Sequence, residues 1–154
     1  MKINYSLLLY LVCIPLGYDA FWSADGDFSV LRTICFIVAL LITICGGFLN
    51  AKHHMKYRSV LWISFVNILL VLGYIISNGG TGDASFFGDN RALGFFLASA
   101  GLNMQWTYLS YLDFSWFSSD FTFLFIGACS SFLFPSAGFL MGRCWSKRSN
   151  NAMK

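Results

Sequence analysis

The sequence predicts an all-α fold: an integral membrane helical bundle of four transmembrane helices plus an interfacial or re-entrant helix, with five transmembrane helices as the alternative. Three observations predict it. Of the 154 residues, 57% are hydrophobic and 11% charged, with mean hydropathy +0.65. A soluble domain averages about 25% charged residues and uses them to face water. The apolar residues are gathered in runs long enough to cross a bilayer, and the basic residues stand at the ends of those runs. The whole chain, 1–154, then forms a single transmembrane domain.

The first run covers residues 3–20. It follows Lys2 and contains Leu7, Leu8, Leu9, Val12 and Ile14. A cleaved signal peptide carries small residues three positions and one position before the cut. A cut after Ala20 has Tyr18 three positions back, and one after Ala24 has Trp22. A retained span is therefore expected, with Pro15 bending its outer end. An acidic, aromatic loop follows, with Asp19, Phe21, Trp22, Asp25 and Asp27.

The second run, 28–49, is almost entirely aliphatic, aromatic or small, and about 20 such residues cross the hydrocarbon core. Arg32 lies one turn inside its outer end, where a long side chain reaches the headgroups. The loop 50–58 holds Lys52, His53, His54, Lys56 and Arg58 and no acid. Such basic loops stay cytoplasmic. The third run, 60–76, has Trp62 near its inner edge and ends at Gly79-Gly80-Thr81-Gly82, a turn cluster. The last run, 121–141, is followed by Arg143, Lys147, Arg148 and Lys154.

Residues 92–117 are ambiguous. The first half is apolar. The second carries Asn103, Gln105, Thr107 and Ser110 among Trp106, Tyr108, Tyr111, Phe114 and Trp116. With four spans, the inner side holds Lys2, Lys52, Lys56, Arg58, Arg143, Lys147, Arg148 and Lys154, and the outer side Arg32 and Arg91. With five spans the basic tail moves outside, against the positive-inside rule. Four spans are expected, in the cell (inner) membrane, with both termini cytoplasmic. Residues 92–117 would then lie on the outer face or re-enter it. Phe21, Trp22, Phe86, Phe87, Trp106, Tyr108, Tyr111, Phe114, Trp116 and Phe117 would share that outer interface. Asp19-Ala20-Phe21-Trp22 and Asp83-Ala84-Ser85-Phe86-Phe87, each followed by Gly-Asp, echo one another. A duplicated hairpin and chance both account for the echo.

Membrane helices associate through close packing at small residues. Cys35, Ala39, Thr43, Gly47 and Ala51 recur every fourth residue in the second run; Gly127, Ser131, Pro135, Gly138 and Gly142 recur every third or fourth in the last. Spacings of three and four place each set on one helical face. The packing candidates are Ala39, Thr43, Gly47, Gly127, Ser131, Gly138 and Gly142, and the two runs are expected to meet through them. A homodimer through the last set is the rival. Pro135 lacks a backbone donor and should free the Ser131 carbonyl.

For chemistry the chain offers little. All seven acids, Asp19, Asp25, Asp27, Asp83, Asp89, Asp113 and Asp120, lie in outer loops or at the edges of the runs. A proton relay places ionisable groups within the membrane, so that class is disfavoured. Asn67 is the most polar residue deep in a strong run, suited to bonding a facing helix or lining a small polar site. His53 and His54 are adjacent, about 100° apart on a helix, and do not make a same-face metal pair. Cys13, Cys35, Cys45, Cys129 and Cys144 include no C-x-x-C. No nucleophile elbow or nucleotide loop is present. No catalytic residue, cofactor or metal is expected.

The expectation is a small non-enzymatic multi-pass membrane protein, an accessory or interaction protein of which an immunity-type protein is one form. A small transporter or channel subunit is the alternative; its polar path would use Asn67, Thr43, Ser131, Asn103 and Gln105. The expected partners are the lipid bilayer and a membrane protein or a second copy of the chain. Nucleic acid is not expected, because the basic residues form no stripe.

Overall fold

The computed structural model describes residues 3–22, 30–77, 90–106 and 119–152. Five α-helices occupy most of them, and no strand is present among the described residues: α1 Tyr5–Trp22, α2 Val30–Lys52, α3 Trp62–Ser77, α4 Asn90–Asn103 and α5 Ser119–Ala152. Short 3-10 turns cover Tyr57–Ser59 and Met104–Trp106.

Each helix starts or stops for a local reason. Asn4 caps α1: its Oδ1 accepts the Leu7 N–H at 3.3 Å, satisfying a donor that has no partner inside the helix. Helix α1 then continues through Pro15, whose ring faces outward. Helix α2 runs three residues past the expected 28–49 boundary, taking in Asn50, Ala51 and Lys52. It closes in a Schellman motif, with Met55 N bonded to Asn50 O at 2.9 Å and His54 N to Ala51 O at 3.0 Å. His54 takes the left-handed conformation this cap requires, at φ 55°. The adjacent histidines are thus a helix terminus and its first residue beyond.

One end of the bundle is fixed by polar contacts. Asn50 Nδ2 donates to Asn4 Oδ1 at 2.8 Å, and Asn4 Nδ2 donates to the Ser59 carbonyl at 2.8 Å. Tyr57 Oη bonds Ser136 Oγ at 2.9 Å. A Cβ on Gly142 would stand 2.8 Å from that of Ala51. So α1 leaves this end, α2 arrives at it, α3 leaves it, and α5 arrives at it again. Lys52, His53, His54, Lys56, Arg58 and Arg143 gather here. The Arg143 guanidinium lies 5.6 Å from the Phe139 ring centre, and the Tyr5 and His53 rings stack at 4.8 Å.

Helix α4 runs back along α3. Its Phe95 ring covers Gly73, Phe96 meets Tyr74 at 6.2 Å, and Asn103 meets Asn67. There it stops, and the Met104–Trp106 turn sends the chain past Gly17 of α1. A helix of 14 residues is about 21 Å long, short of the roughly 30 Å hydrocarbon core. Ser99, Asn103, Gln105 and Trp106 are all buried. This part of the ambiguous segment therefore enters the bundle, and a surface-lying helix does not describe it. The reason is chemical: the Asn103 amide and the Trp106 indole find partners on α1 and α3, which solvent-facing geometry would forfeit. Of the ten aromatic residues expected at an outer interface, Trp106 has a described side chain, and it is in the core. The side chains of the other nine, residues 23–29 of the first acidic aromatic loop, the second such loop and the glycine cluster at 79–82 lie outside the described residues; the start of the first loop, Asp19 to Trp22, is instead the last turn of α1.

Helices α2 and α5 make the most extensive contact. Helix α5 has 34 residues and continues well past the expected 121–141, through Pro135 to Ala152. Two stretches, Thr33–Lys52 and Leu124–Arg148, are long and apolar enough to cross a membrane; Tyr5–Gly17 and Trp62–Ser77 are shorter apolar helices.

The bundle buries many polar side chains and exposes many large apolar ones. Ser6, Thr43, Asn50, Ser64, Asn67, Ser99, Asn103, Ser130 and Ser131 are all at most 4% exposed. Ile34, Leu41, Phe65, Leu72, Leu133 and Leu140 are 47–59% exposed and face outward.

Candidate functional site

The most concentrated chemistry in the described residues is a buried amide and hydroxyl cluster where α1, α3 and α4 converge. Helix α1 buries Ser6, Tyr10, Cys13 and Gly17, spaced four, three and four, which is one helical face. Tyr10 therefore points at the interior. Its Oη donates to Asn103 Oδ1 at 2.7 Å and accepts the Trp106 Nε1–H at 3.0 Å. Asn103 and Asn67 exchange both amide ends: Asn103 Nδ2 donates to Asn67 Oδ1 at 2.8 Å, and Asn67 Nδ2 to Asn103 Oδ1 at 3.2 Å. Asn103 also donates to the Ser99 carbonyl one turn back, at 2.8 Å.

Glycines make room for this. A Cβ on Gly127 of α5 would stand 2.7 Å from Asn103 Cγ. A Cβ on Gly17 would run into the backbone of Met104 and Gln105. The indole of Trp106 fills the space beside the cluster, with Phe134 at 5.0 Å and Phe36 at 6.2 Å. Gln105 donates through Nε2 to the Leu102 carbonyl at 3.2 Å. Its Oε1 is the one buried side-chain oxygen or nitrogen without a partner among the described residues.

Comparisons with protein-family models, curated proteins and solved structures find no match.

The small-residue sets wrap around their helices. A step of four residues advances 400°, so each step drifts about 40°. On α2, Ala39 and Thr43 face α1: the Ala39 carbonyl accepts from Thr43 Oγ1 at 2.7 Å and from Cys13 Sγ at 3.6 Å. Gly47, two steps on, faces α5, where a Cβ would fall on the Pro135 carbonyl. On α5 the order is similar. Gly127 faces Asn103, Ser131 faces α3, Gly138 meets the Ile44 carbonyl, and Gly142 meets Phe48 and Ala51. Placing each set on one face was too simple for runs of sixteen residues. The Gly138 and Gly142 side of α5 is covered by α2, so a homodimer built on it would have to displace α2.

Pro135 supplies no N–H to the Ser131 carbonyl. That carbonyl accepts Ser64 Oγ at 2.9 Å, from α3. A backbone acceptor freed on one helix thus becomes a cross-link to another.

The arrangement joins helices and presents no acid–base pair. Cys13 lies beside Thr43 Oγ1 at 3.9 Å and the Ala39 carbonyl, neither of which is a proton acceptor strong enough to generate a thiolate. All five cysteines are free. Among the described residues no three His, Cys, Asp or Glu side chains are grouped for a metal.

Sequence reasoning singled out Asn67 and weighed Asn103 and Gln105 as polar-path residues. It passed over Tyr10, Ser99, Asn4 and Asn50. Asn50 had a signal, since it is the first polar residue after a long apolar run and begins a basic loop. Its Oδ1 accepts the Tyr5 and Ser6 N–H groups at 2.9 and 3.4 Å.

Proposed function

We propose that the chain is a multi-pass integral membrane protein of the cell (inner) membrane, with four spans, a short re-entrant helix and both termini cytoplasmic. The combination of buried, bonded polar groups and exposed large apolar side chains supports this reading. Bonded hydroxyls and amides share the interior with Tyr10, Val60, Ile63, Trp106, Leu124 and Phe139, while many other Leu, Ile, Val and Phe side chains face outward. Without a solvent penalty for exposed Leu, helices are held by small-residue packing and interhelical hydrogen bonds, the two devices this bundle uses. The basic loop and the basic end of α5 lie at one end of the bundle, as the positive-inside rule asks of a cytoplasmic face. Reporters fused after residue 154, active only in the cytoplasm, are expected to work. Activity only outside the cell would defeat the four-span topology.

Within that membrane its role is that of a non-enzymatic accessory or interaction protein, immunity-type proteins included. The supporting observation is that the buried polar groups are engaged in holding helices together, leaving an apolar exterior as the surface for a membrane partner. Gln105 Oε1, unpartnered beside the cluster, favours the transporter or channel reading as the second. Purified protein reconstituted into vesicles separates them. The first reading expects ion and small-solute permeability equal to that of empty vesicles. Flux that disappears in Gln105→Leu would replace it with the second.

A further inference from the structure

The connection between α2 and α3 carries a feature that helix association does not use. Arg58, Leu61, Trp62 and Phe65 line an open groove of about 600 Å³. Arg58 is exposed, and Trp62 and Phe65 are 60% and 54% exposed. Their rings meet edge to face at 6.4 Å and 88°, in the groove that Arg58 also lines. Beyond them Leu69, Leu72 and Ile76 continue outward on α3 at 49%, 47% and 76% exposure. Positions 62, 65, 69, 72 and 76 share one helical face. One cation therefore heads an uninterrupted apolar strip.

The charge around the groove is of one sign. Lys56 is exposed two residues from Arg58, and no acidic residue lies between Asp27 and Asp83 in the sequence. A guanidinium binds a phosphate through paired N–H groups. An indole suits the boundary between headgroup and acyl chain. A strip of aromatic and aliphatic side chains matches an acyl chain in polarity. At the same end the Arg143 guanidinium lies over the Phe139 ring.

We propose that this groove binds an anionic glycerophospholipid, with its phosphate on Arg58 and one acyl chain laid over Trp62, Phe65 and Leu69. The site rests on the membrane reading above, and it faces the cytoplasmic leaflet.

The full chain in a neutral detergent is titrated with phosphatidylglycerol, phosphatidylcholine and inorganic phosphate, and bound lipid is counted by native mass spectrometry. Wild-type protein is expected to retain phosphatidylglycerol in preference to phosphatidylcholine. Arg58→Gln is expected to weaken phosphatidylglycerol binding about fivefold, the effect of one basic residue near a charged surface. Trp62→Ala should weaken both lipids. Lys147→Gln, also exposed at the basic end, should leave binding unchanged. Helicity by circular dichroism checks that each variant is folded. Arg58→Gln with wild-type lipid affinity overturns the site. So does equal loss in Lys147→Gln, which would mean diffuse charge, or displacement of lipid by inorganic phosphate, which would mean a free-anion site. Any of these in a protein that still requires detergent rejects the groove and leaves the membrane reading standing. A chain monodisperse in plain buffer rejects both.

Discussion

Truncating Asn103 tests the central idea that hydrogen bonds between helices hold this bundle. Asn103→Ala deletes three cross-helix bonds: one from Tyr10 Oη at 2.7 Å and two shared with Asn67 at 2.8 and 3.2 Å. Such bonds between membrane helices average about 0.6 kcal/mol and reach about 1.7, so the sum lies between about 2 and 5 kcal/mol. The Asn67 amide would lose both bonds to Asn103, and Tyr10 would lose its acceptor. Orphaned buried groups cost more than the mean bond, and a loss of about 3 kcal/mol is expected. Asn67→Ala should cost less, because Asn103 keeps Tyr10 and Ser99. The double variant should be less destabilised than the sum by about 1 kcal/mol, the coupling of groups in direct contact. Equilibrium unfolding in mixed micelles measures these values. Far-ultraviolet circular dichroism follows the helices, and tryptophan fluorescence follows the Trp106 environment. A loss below about 0.5 kcal/mol for Asn103→Ala, typical of an unimportant surface change, would refute the reasoning. Strict additivity in the double variant would refute the paired-amide account.

Three further outcomes follow from the geometry. Gly138→Ala puts a methyl against the Ile44 carbonyl and Gly47→Ala one against the Pro135 carbonyl; each should destabilise by about 1–3 kcal/mol, whereas Gly94→Ala, with nothing nearby, should not, and the same unfolding assay compares them. Ser64→Ala should cost about 1 kcal/mol in the parent and measurably less in Pro135→Ala, where a restored N–H can serve the Ser131 carbonyl; equal costs in both backgrounds would separate the serine from the proline. His54→Gly should stabilise by about 1 kcal/mol, the cost of left-handed backbone for a residue with a Cβ, read as a higher unfolding midpoint.

Much of the architecture is legible along the chain because it depends on local chemistry. Runs of leucine and isoleucine mark α1, α2, α3 and the middle of α5. The ring of Pro135 announces an unpaired carbonyl at Ser131 wherever the helix lies. What stays hidden is the identity of the acceptor's partner, since Ser64 is 67 residues away. The Ala92–Trp106 stretch misleads for the same reason. A window containing Asn103, Gln105 and Trp106 reads as interfacial because its polarity is counted without its partners. Tyr10, 93 residues before Asn103, sits in a run of leucines and reads as one more apolar side chain. The drift of the small-residue sets is computable from helix geometry, but which neighbour each turn meets is set by the bundle. The cap at His54 is hidden because a histidine stands where glycine would signal it.

The clasp around Asn50 has a consequence for synthesis. The first amides of α1, on Tyr5 and Ser6, are closed by a side chain that leaves the ribosome some forty-five residues later, and Ser59 completes the ring through Asn4. A nascent chain halted before that point holds a greasy leading segment whose amino end is still hydrated. In the membrane topology proposed above, its release into lipid and its lock onto the following hairpin are separate events in time, the second waiting on translation of the basic turn.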